Sequence, residues 1–436
     1  MTPREKGAEA SRVLRPVRQR KQVRKLGRVD ILRREDYAEL ELDPKVELIR
    51  SLGPLGLMHV EELLDEEVTA LAGERYARKD AATGGRRHGS NPGTVGWAGQ
   101  HVPIRVPRLR RVAGGEIPLR SYAALHGDRA VNDLLLKRVL YGVSCRNYEA
   151  AAEAIPGAIG LSGSTVSRGF IQASAAQLRE FQERELSGED VVASVRDGKT
   201  FADATMVIAL GITLSGAERV LGFVETDTEN ARVLTLCLRT LIERGLDLSQ
   251  GVLVILDGAK GLRSAVRKAF RTRALVPRCQ WHKRENVVSY LATHEQVVWR
   301  QRLQRAYTRP DYDEALGALE TLHGELDARN QSAANSLAEG LDETLTLHRL
   351  GLFGALGRSL KTTKGLESVN ALVEERCAKV DYWQNSSQRQ RWLATALLDI
   401  EPRLRKVMGY RHLPTLRAAL QRALKIDTTT SQKTAA

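Results

Sequence analysis

Short apolar runs alternate with amphipathic stretches most regularly between residues 191 and 280. Apolar runs bounded by turn residues predict strands at residues 191–195, 205–213, 219–224, 251–256 and 274–280. Helical spacing predicts helices at residues 229–244 and 262–271. The predicted order is β-β-β-α-β-α-β, which indicates an α/β domain with a mixed sheet.

Helical periodicity dominates the chain on both sides of this block. Residues 130–186 are predicted to be helical before it, and residues 287–357 are predicted to form an all-helical insertion after it. A closing helix is predicted to begin near Thr362, with a buried face defined by Leu366, Val369, Val373 and Val380.

The region before residue 130 has a mixed pattern. Residues 60–71 have helical spacing, whereas residues 84–99 are polar and glycine-rich and are predicted to form a loop. Residues 100–108 and 117–120, separated by a turn at residues 113–115, predict a two-stranded ribbon with an arginine face. Pro103 and Pro107 restrict the first strand of this ribbon to an edge.

Composition places the chain among core-forming proteins of two or three domains. It has 436 residues, of which 42% are hydrophobic and 28% are charged. Because no apolar run approaches the length of a membrane span and the N-terminus lacks the apolar part of a secretion signal, we expect no membrane association and a cytoplasmic location. The four cysteines form no CxxC pair, which is consistent with reduced thiols.

Two segments carry the excess of positive charge. The net charge is +14, and the first 34 residues contain twelve Lys or Arg residues against three acids. Residues 84–120 contain seven arginines and one acid. A solvated surface is the alternative explanation, but two basic blocks in one region favour binding to DNA phosphates. The arginines expected to contact DNA are Arg86, Arg87, Arg105, Arg108, Arg110 and Arg111.

A helix-turn-helix is predicted at about residues 142–175. A short helix, a connection at Ile155, and a second helix capped by Ser164 fit that motif. The first turn of a recognition helix contacts base edges, so Thr165, Ser167 and Arg168 are expected at DNA. A plain helical hairpin fits the same pattern.

Acidic residues follow two of the predicted strands. Asp197 is expected to end the first strand and Asp257 the fourth, and each is followed by glycine. By analogy, the element order matches that of ribonuclease H-like folds, in which these two strands are neighbours. Glu367, near the start of the closing helix, offers a third carboxylate. Carboxylates that converge from separate elements suit two Mg²⁺ ions, or Mn²⁺ in their place, which assist phosphodiester cleavage and joining.

Residues 279–284 combine a possible metal pair with aromatic and basic side chains. Cys279 and His282 have C-x-x-H spacing, but zinc needs two further ligands and none is near in sequence. We therefore expect Cys279 to pack in the sheet and His282 to lie near the acidic site. Trp281, Lys283 and Arg284 are candidates for stacking on bases or for phosphate contact. The sequence contains no GxxxxGK[ST] loop, so it gives no indication of nucleotide hydrolysis.

Over roughly residues 60–420 the chain resembles the mutator-type DDE transposases of bacterial insertion sequences. The segments that carry the resemblance are the basic ribbon and residues 63–68 (LLDEEV), 142–144 (GVS) leading to 164–167 (STVS), 257–262 (DGAKGL), 278–286 (RCQWHKREN) and 362–368 (TTKGLES). Lys364 departs from the family, which often has asparagine there.

The resemblance implies that Asp197, Asp257 and Glu367 form the metal-binding catalytic triad, with Asp203 as a rival for the first acid. It further implies binding to terminal inverted repeats and target DNA, strand transfer, and a homodimer or larger assembly in the nucleoid. Two alternatives stay open: a domesticated DNA-binding regulator without catalysis, and a ribonuclease H-like nuclease.

The expected organisation follows from these patterns. A flexible basic arm (residues 1–42) precedes a DNA-binding region (residues 43–186). The catalytic core follows in two parts, residues 187–286 and 358–425, around the helical insertion at residues 287–357. Residues 426–436 are expected to form a disordered tail.

Overall fold

The computed structural model describes residues 54–76, 84–97, 100–126, 129–148, 162–201, 204–226 and 230–426. The predicted arm at residues 1–42, the predicted tail after Ile426, and Asp203 lie outside these ranges. None of the helices in these ranges is long and apolar enough to cross a membrane.

A five-stranded mixed sheet forms the centre of the α/β region. Its strands are β4 (Val191–Phe201), β5 (Ala204–Thr213), β6 (Glu218–Thr226), β7 (Val252–Leu256) and β8 (Ala274–Leu275). They lie in the order β6-β5-β4-β7-β8. The first three are antiparallel, whereas β7 runs parallel to β4 and β8 runs parallel to β7. The predicted order of strands and helices is therefore confirmed, and the fold is mixed α/β.

The first strand is longer than its apolar run predicts. Pairing between β4 and β5 continues from Arg196↔Ala209 to Phe201↔Ala204. The prediction that Asp197 ends this strand is therefore wrong with respect to β5. It holds on the other side of β4, where the pairing with β7 extends only to Arg196↔Leu256.

Helices cover both faces of the sheet, which explains why the strands are continuously apolar. Helices α5 (Ala231–Glu243) and α6 (Lys260–Phe270) pack on one face. The opposite face is covered by α3 (Arg129–Leu140), α4 (Gly163–Glu183), α14 (Lys364–Cys377), α15 (Ser386–Ile400) and α16 (Leu413–Ala423). Alternate residues of β7 enter the two cores: Val254 faces α5 and α6, and Ile255 faces the other layer.

Residues 280–360 contain helices and their connections. In order these are α7 (Gln280–Val288), α8 (Thr293–Tyr307), α9 (Tyr312–Asp327), α10 (Gln331–Ala338), α11 (Leu341–Thr344), α12 (Thr346–Arg349) and α13 (Phe353–Leu360). Helices α7 to α10 enclose a hydrophobic cluster of their own that includes Trp299, Leu319 and Leu337. Helices α7 to α10 therefore have a core distinct from the two cores on the sheet, whereas Leu347, Phe353 and Leu356 of α12 and α13 belong to the core on the α14 side.

The N-terminal region contains a hairpin where a loop is expected. The prediction of a loop at residues 84–99 is wrong, because β1 (Gly85–Trp97) pairs antiparallel with β2 (Gln100–Arg111). The predicted strand at residues 117–120 is reduced to β3 (Glu116–Ile117), which pairs with Leu109 and Arg110 of β2. Most of β1 is exposed, so it lacks the alternating apolar positions that mark a half-buried strand.

Two helices pack against this hairpin: α1 (Pro54–Ala72) and α2 (Arg120–His126). Buried Leu64 and Val68 of α1 contact a cluster that includes Val95 and Leu109 of the two strands. β2 lies between β1 and β3, but β3 pairs only with its end, so Pro103 and Pro107 occupy the part of β2 that β3 does not reach.

The predicted recognition helix corresponds to α4, but its cap is a different residue. Ser162, not Ser164, is the N-cap, and its Oγ accepts a hydrogen bond from the Thr165 N–H at 3.4 Å. Ser164 is already inside the helix. Residues 149–161, which would complete the helix-turn-helix, lie outside the described ranges, so that motif stays a prediction.

Candidate active site

Two acidic residues lie at matching positions on adjacent strands of the sheet. The pairing of β4 with β7 ends at Arg196↔Leu256, and Asp197 and Asp257 are the residues that directly follow this pair. Asp197 is an odd-numbered residue of β4 and Asp257 directly follows β7; the odd-numbered residues Val195 and Ile255 of these strands face the α14 side. Adjacent strands are about 4.8 Å apart, so the two carboxylates are brought to one edge and one face of the sheet.

Asp197 lies in an environment that disfavours its charge. Only 9% of its surface is exposed. Burial, together with the nearby carboxylates of Asp257 and Glu367, raises its pKa to about 6, although His282 and Thr363 act in the opposite direction. A bound cation would remove this cost, because it would neutralise a carboxylate that water does not solvate well.

The loop that follows β7 holds Asp257 in place. The Asp257 Oδ1 accepts a hydrogen bond from the Ala259 N–H at 2.9 Å, and Oδ2 takes no part in this bond. Gly258 has φ +110°, a conformation that L side chains rarely adopt, and a Cβ there would collide with the Arg278 guanidinium. The glycine after Asp257 is therefore required both by the turn and by the close approach of Arg278.

Glu367 reaches the same edge from the first turn of α14. Leu366, Val369 and Val373 are buried, as the predicted stripe requires, while Glu367 is exposed. Its carboxylate contributes to the raised pKa of Asp197, which shows that the two groups interact electrostatically. The structure thus brings all three predicted acids into one electrostatic environment.

The donor chemistry of this edge suits a hard divalent cation. Asp197 and Asp257 come from rigid strands, and Glu367 has a long, exposed side chain. Among the residues that the structure describes, no group of three or more His, Cys, Asp or Glu side chains already has the arrangement of a metal site. The acids therefore match a hard cation by ligand type, and Glu367 is the one with an exposed side chain.

Cys279 and His282 lie beside Asp197. Cys279 is buried, and its Sγ is 3.8 Å from the buried Thr363 Oγ1 at the start of α14. The His282 Nε2 is 4.0 Å from the Asp197 Oδ2. Cys279 is buried, but as the N-cap of α7 it lies outside the strands and not in the sheet as predicted, and His282 lies beside Asp197.

The environment of His282 favours its protonated form. Burial lowers its pKa, but the Cys279 thiol, Asp197 and Asp257 outweigh burial and raise it to about 9. The pKa of Cys279 is lowered despite burial, chiefly through His282. Nδ1 of His282 is buried, and the Cys279 side chain is the partner that most raises the pKa of the ring, through hydrogen bonding and charge. A cationic imidazole consequently faces the carboxylates.

Trp281 is the exposed aromatic residue next to His282. Its side chain is 43% exposed, and its ring meets the His282 ring edge-on with centroids 4.7 Å apart. This position leaves an apolar ring face in solvent beside the acidic edge.

The structure contradicts one predicted DNA contact. Lys283 is fully buried, and its Nζ donates to the Glu339 carbonyl oxygen, so it connects α7 to the end of α10 and cannot contact DNA from this position. Arg284 is half-buried and donates to the Glu285 and Gln304 side chains. Both side chains contact other helices of the protein because of their positions on α7, and the run of basic residues in the sequence does not reveal this.

The arginines of the hairpin fall into two groups. Arg87 donates to Asp65 Oδ1 and Thr69 Oγ1, each at 2.8 Å, and Arg108 pairs with Glu116. These two have protein partners. The remaining predicted contacts of the hairpin are on exposed side chains, namely Arg86, Arg105, Arg110 and Arg111.

The predicted contacts on α4 lie in its first two turns. Arg168 is exposed, with its Nε donating to the Ser164 carbonyl at 3.4 Å, and Ser167 is half-buried. The Thr165 hydroxyl is 2.9 Å from the Ser162 hydroxyl. Nothing in the described ranges tests whether these residues contact DNA.

Sequence reasoning missed two residues that shape the acidic edge. Thr363 is fully buried between Cys279 and the start of α14, and Arg278 packs on Gly258. Their positions in the sequence could have indicated them, because Thr363 lies shortly before Glu367 and Arg278 directly precedes Cys279.

The chain is similar to known proteins over most of its length. The family described as "Transposase, Mutator family" matches residues 36–405. The chain is 26% identical over 313 residues to the transposase for insertion sequence element IS256 in transposon Tn4001 of Staphylococcus aureus, which covers 69% of this chain and 77% of that protein. It is 26% identical over 346 residues to the transposase for IS905 of Lactococcus lactis, covering 78% and 86%. Identity to the transposase for IS406 of Burkholderia multivorans is 27% over 353 residues, covering 78% and 88%.

Proposed function

The chain belongs to the mutator family of transposases, and we propose that it cleaves and joins DNA strands at the ends of its own insertion sequence, with Asp197, Asp257 and Glu367 as catalytic carboxylates. The observation that carries this proposal is the register of β4 and β7, which brings Asp197 and Asp257 to one edge of the sheet. Glu367 acts on the same carboxylate from α14.

We infer that the catalytic core is ribonuclease H-like. Counted along the core, the strands lie in the order 3-2-1-4-5, with three antiparallel strands followed by two parallel ones. Helices cover both faces, and the helical residues 280–360 separate Asp257 from Glu367. These features support the analogy drawn from the element order.

In the proposed mechanism, Asp197, Asp257 and Glu367 would hold Mg²⁺ or Mn²⁺. When bound, two such ions lower the barrier to phosphodiester displacement by stabilising the attacking and leaving oxygens. In the metal-free protein His282 carries a positive charge at neutral pH, and its Nε2 is 4.0 Å from the Asp197 Oδ2, so it would help to neutralise the charge of DNA that approaches this edge. Water and then a DNA 3′-hydroxyl would be the successive nucleophiles.

The exposed arginines of the hairpin support a DNA-binding role for this region. Arg86, Arg105, Arg110 and Arg111 would contact phosphates, whereas Arg87 and Arg108 hold the hairpin through internal contacts. Arg168, Thr165 and Ser167 of α4 stay candidates for contact with the terminal inverted repeats. Because a transposase processes two ends, we expect two or more copies on DNA.

The central test is strand cleavage by an Asp257→Asn variant. Labelled DNA carrying the element end is incubated with protein and Mg²⁺. We expect the parent to cut and join strands, and the variant to lose at least about a hundredfold in rate because a carboxylate needed for charge stabilisation is gone.

The matched control is Asp247→Asn. Asp247 also accepts a hydrogen bond from a backbone N–H two residues ahead, at 2.7 Å, but it lies before β7, at the opposite end of that strand. Cleavage by Asp257→Asn at the parental rate would refute the catalytic assignment. Tight binding to the repeats without cleavage under any divalent cation would support a DNA-binding regulator, and preferential cutting of an RNA–DNA hybrid would support a nuclease.

A further inference from the structure

A basic cavity lies on the far side of the loop that carries Asp257. It has a volume of about 220 Å³, and Gly258, Lys260, Arg263, Arg278, Glu339 and Glu343 contribute to its lining. None of these side chains has a role in the strand cleavage proposed for Asp197, Asp257 and Glu367. Gly258 directly follows Asp257, so the cavity adjoins the proposed catalytic site through a single peptide.

Arg278 brings a guanidinium group to the lining of this cavity. Its side chain is 9% exposed, and its Nη1 donates to the Glu339 carbonyl oxygen at 3.0 Å. Its Nε is buried against Gly258 without a hydrogen-bond partner, and the Arg263 Nε is also buried without one. An oxyanion in the cavity would therefore pair with the charge of the two guanidinium groups and not with these buried N–H groups.

The start of α6 adds to the positive potential. This helix has 11 residues, begins at Lys260, and has no side-chain hydrogen bond at its N-cap, Ala259. Its first backbone N–H groups therefore remain available for an anion, and the helix dipole favours negative charge at this end.

Two glutamates partly neutralise the cavity. Glu343 pairs with Arg263, and the Glu339 Oε2 is 3.5 Å from the Arg278 Nη1. Positive charge still dominates, because the lining contains the three basic residues Lys260, Arg263 and Arg278 against these two carboxylates. Glu339 is 57% exposed, so its carboxylate is able to move away when a stronger anion enters.

We propose that this cavity binds a phosphate group of the DNA strand held at Asp257, through Lys260, Arg263, Arg278 and the start of α6. The assignment rests on the proposed function, because it takes the phosphodiester of the processed strand as the ligand. Glu339 acts as an internal competitor that occupies Arg278 in the absence of DNA.

The cavity is tested first without DNA, with inorganic phosphate as the probe. Binding is measured calorimetrically in metal-free buffer for the parent, Lys260→Gln/Arg263→Gln, and the control Arg267→Gln/Lys268→Gln. The control removes two charges from the same helix at exposed positions outside the cavity. We expect the first double variant to bind phosphate about tenfold more weakly and the control to match the parent.

A third variant tests the competition directly. Glu339→Gln keeps the carbonyl oxygen that Arg278 and Lys283 use but removes the competing charge, so phosphate should bind several-fold more tightly. Lys260→Gln alone, at an exposed residue, covers the case in which the double variant fails to fold. Equal phosphate affinity in the parent and both cavity variants, or no binding by the parent, would overturn the proposal.

A second arm distinguishes a DNA phosphate from free phosphate. Single phosphates around the cleavage position of an element-end duplex are replaced by neutral methylphosphonates, and binding is measured without metal. One replacement should weaken binding by the parent and the control about tenfold while leaving the cavity variant unaffected. If the parent and the cavity variant respond alike at every position, the cavity does not hold a DNA phosphate.

This arm also separates the proposal from the proposed function. A parent that binds the ends and shows the expected methylphosphonate effect, but never cuts or joins strands with Mg²⁺ or Mn²⁺, would refute the catalytic function and leave the phosphate site standing. If the parent cuts normally but no methylphosphonate position distinguishes it from the cavity variant, the catalytic function stands and the phosphate site is refuted.

Discussion

At the scale of single residues, strand alternation gives neighbouring side chains opposite environments. Asp197 faces the α14 side with His282 and Thr363 around it. Arg196, the residue before it, faces α5 and α6 and is 1% exposed. Its guanidinium lies over the Phe270 ring, 5.0 Å from the centroid. One residue therefore provides a solvent-reachable acid, and the next buries a charge inside the core.

The raised pKa of Asp197 predicts a pH-dependent metal affinity. Below about pH 6 this carboxyl holds a proton in the metal-free protein, and a cation must displace it. His282, with a pKa of about 9, stays protonated throughout that range and adds no change. Mn²⁺ affinity, measured by calorimetry, should fall about tenfold per pH unit below pH 6 and level off above pH 7. Constant affinity from pH 5 to 7.5 would contradict the assignment of Asp197 as a ligand.

Arg196 is predicted to be replaceable. Its Nε and Nη2 are buried without partners, and burial lowers its pKa to about 10. Because an unpaired buried cation costs free energy that an apolar chain of similar length does not, Arg196→Met should leave the free energy of unfolding unchanged or raise it by about 1–2 kcal/mol. Denaturant unfolding measures this change. A loss of more than about 2 kcal/mol would show that Arg196 has an essential partner.

At the scale of elements, a few side chains fix strands that carry little apolar pattern of their own. The β1–β2 hairpin is exposed or half-buried at most of its positions, and the pairing of its strands shifts between Arg87 and Ser90, where Gly89 has φ +76°. Arg87 next to this bulge donates to Asp65, Thr69 and the Gly73 carbonyl, which connects the hairpin to α1.

Loss of Arg87 should loosen the hairpin locally. Arg87→Ala leaves Asp65 without its main partner, which now holds the pKa of that carboxyl below its usual value. The expected cost is about 1–3 kcal/mol, seen as faster hydrogen exchange in β1 and α1. The neighbouring Arg86→Ala, at an exposed position, is the control and should change exchange little. Equal exchange in both variants would show that apolar packing alone holds the hairpin.

At the scale of the whole molecule, the residues around α7 connect the sheet to the helical region. The Arg278 N–H donates to the Glu343 carbonyl, the Gln280 side chain donates to the Thr344 carbonyl at 2.9 Å, and the Lys283 ammonium donates to the Glu339 carbonyl. The donors of these bonds are residues 278, 280 and 283, which follow β8 and flank His282 in the chain. The position of the helical region is thus coupled to the acidic edge.

Lys283 gives this connection a pH signature. Burial, with Arg278 nearby, lowers its pKa to about 8, so between about pH 8 and 10.5 the unfolded chain binds more protons than the folded one. Stability should therefore rise with pH across that window, by up to about 3 kcal/mol from this residue. In Lys283→Met this contribution is absent. The free energy of unfolding of the parent should therefore increase relative to that of Lys283→Met as the pH rises from 7.5 to 10.5. Denaturant unfolding of both proteins that gives parallel pH profiles would refute the coupling.

The apolar runs by themselves determined the order of strands and helices in the α/β region, because a strand buried on both faces must be continuously apolar. The same pattern predicted Asp257 after a buried strand and Glu367 beside the buried stripe of α14, whereas the C-x-x-H spacing and the family resemblance, not the apolar runs, indicated Cys279 and His282 near the acids. The sequence did not determine the β1 strand, because an exposed strand held by backbone pairing has no apolar period.

Only the tertiary structure decided which charged side chains face solvent. Lys283, Arg284, Arg87 and Arg108 have internal partners that are distant in sequence or hidden by helix geometry, so net charge could not separate them from Arg105 or Arg110. Likewise, the environment of Asp197 and the basic cavity behind Asp257 arise from strand register and from the packing of Arg278 on Gly258. Local sequence encodes period and turn, whereas the partner of a charge depends on which elements pack together.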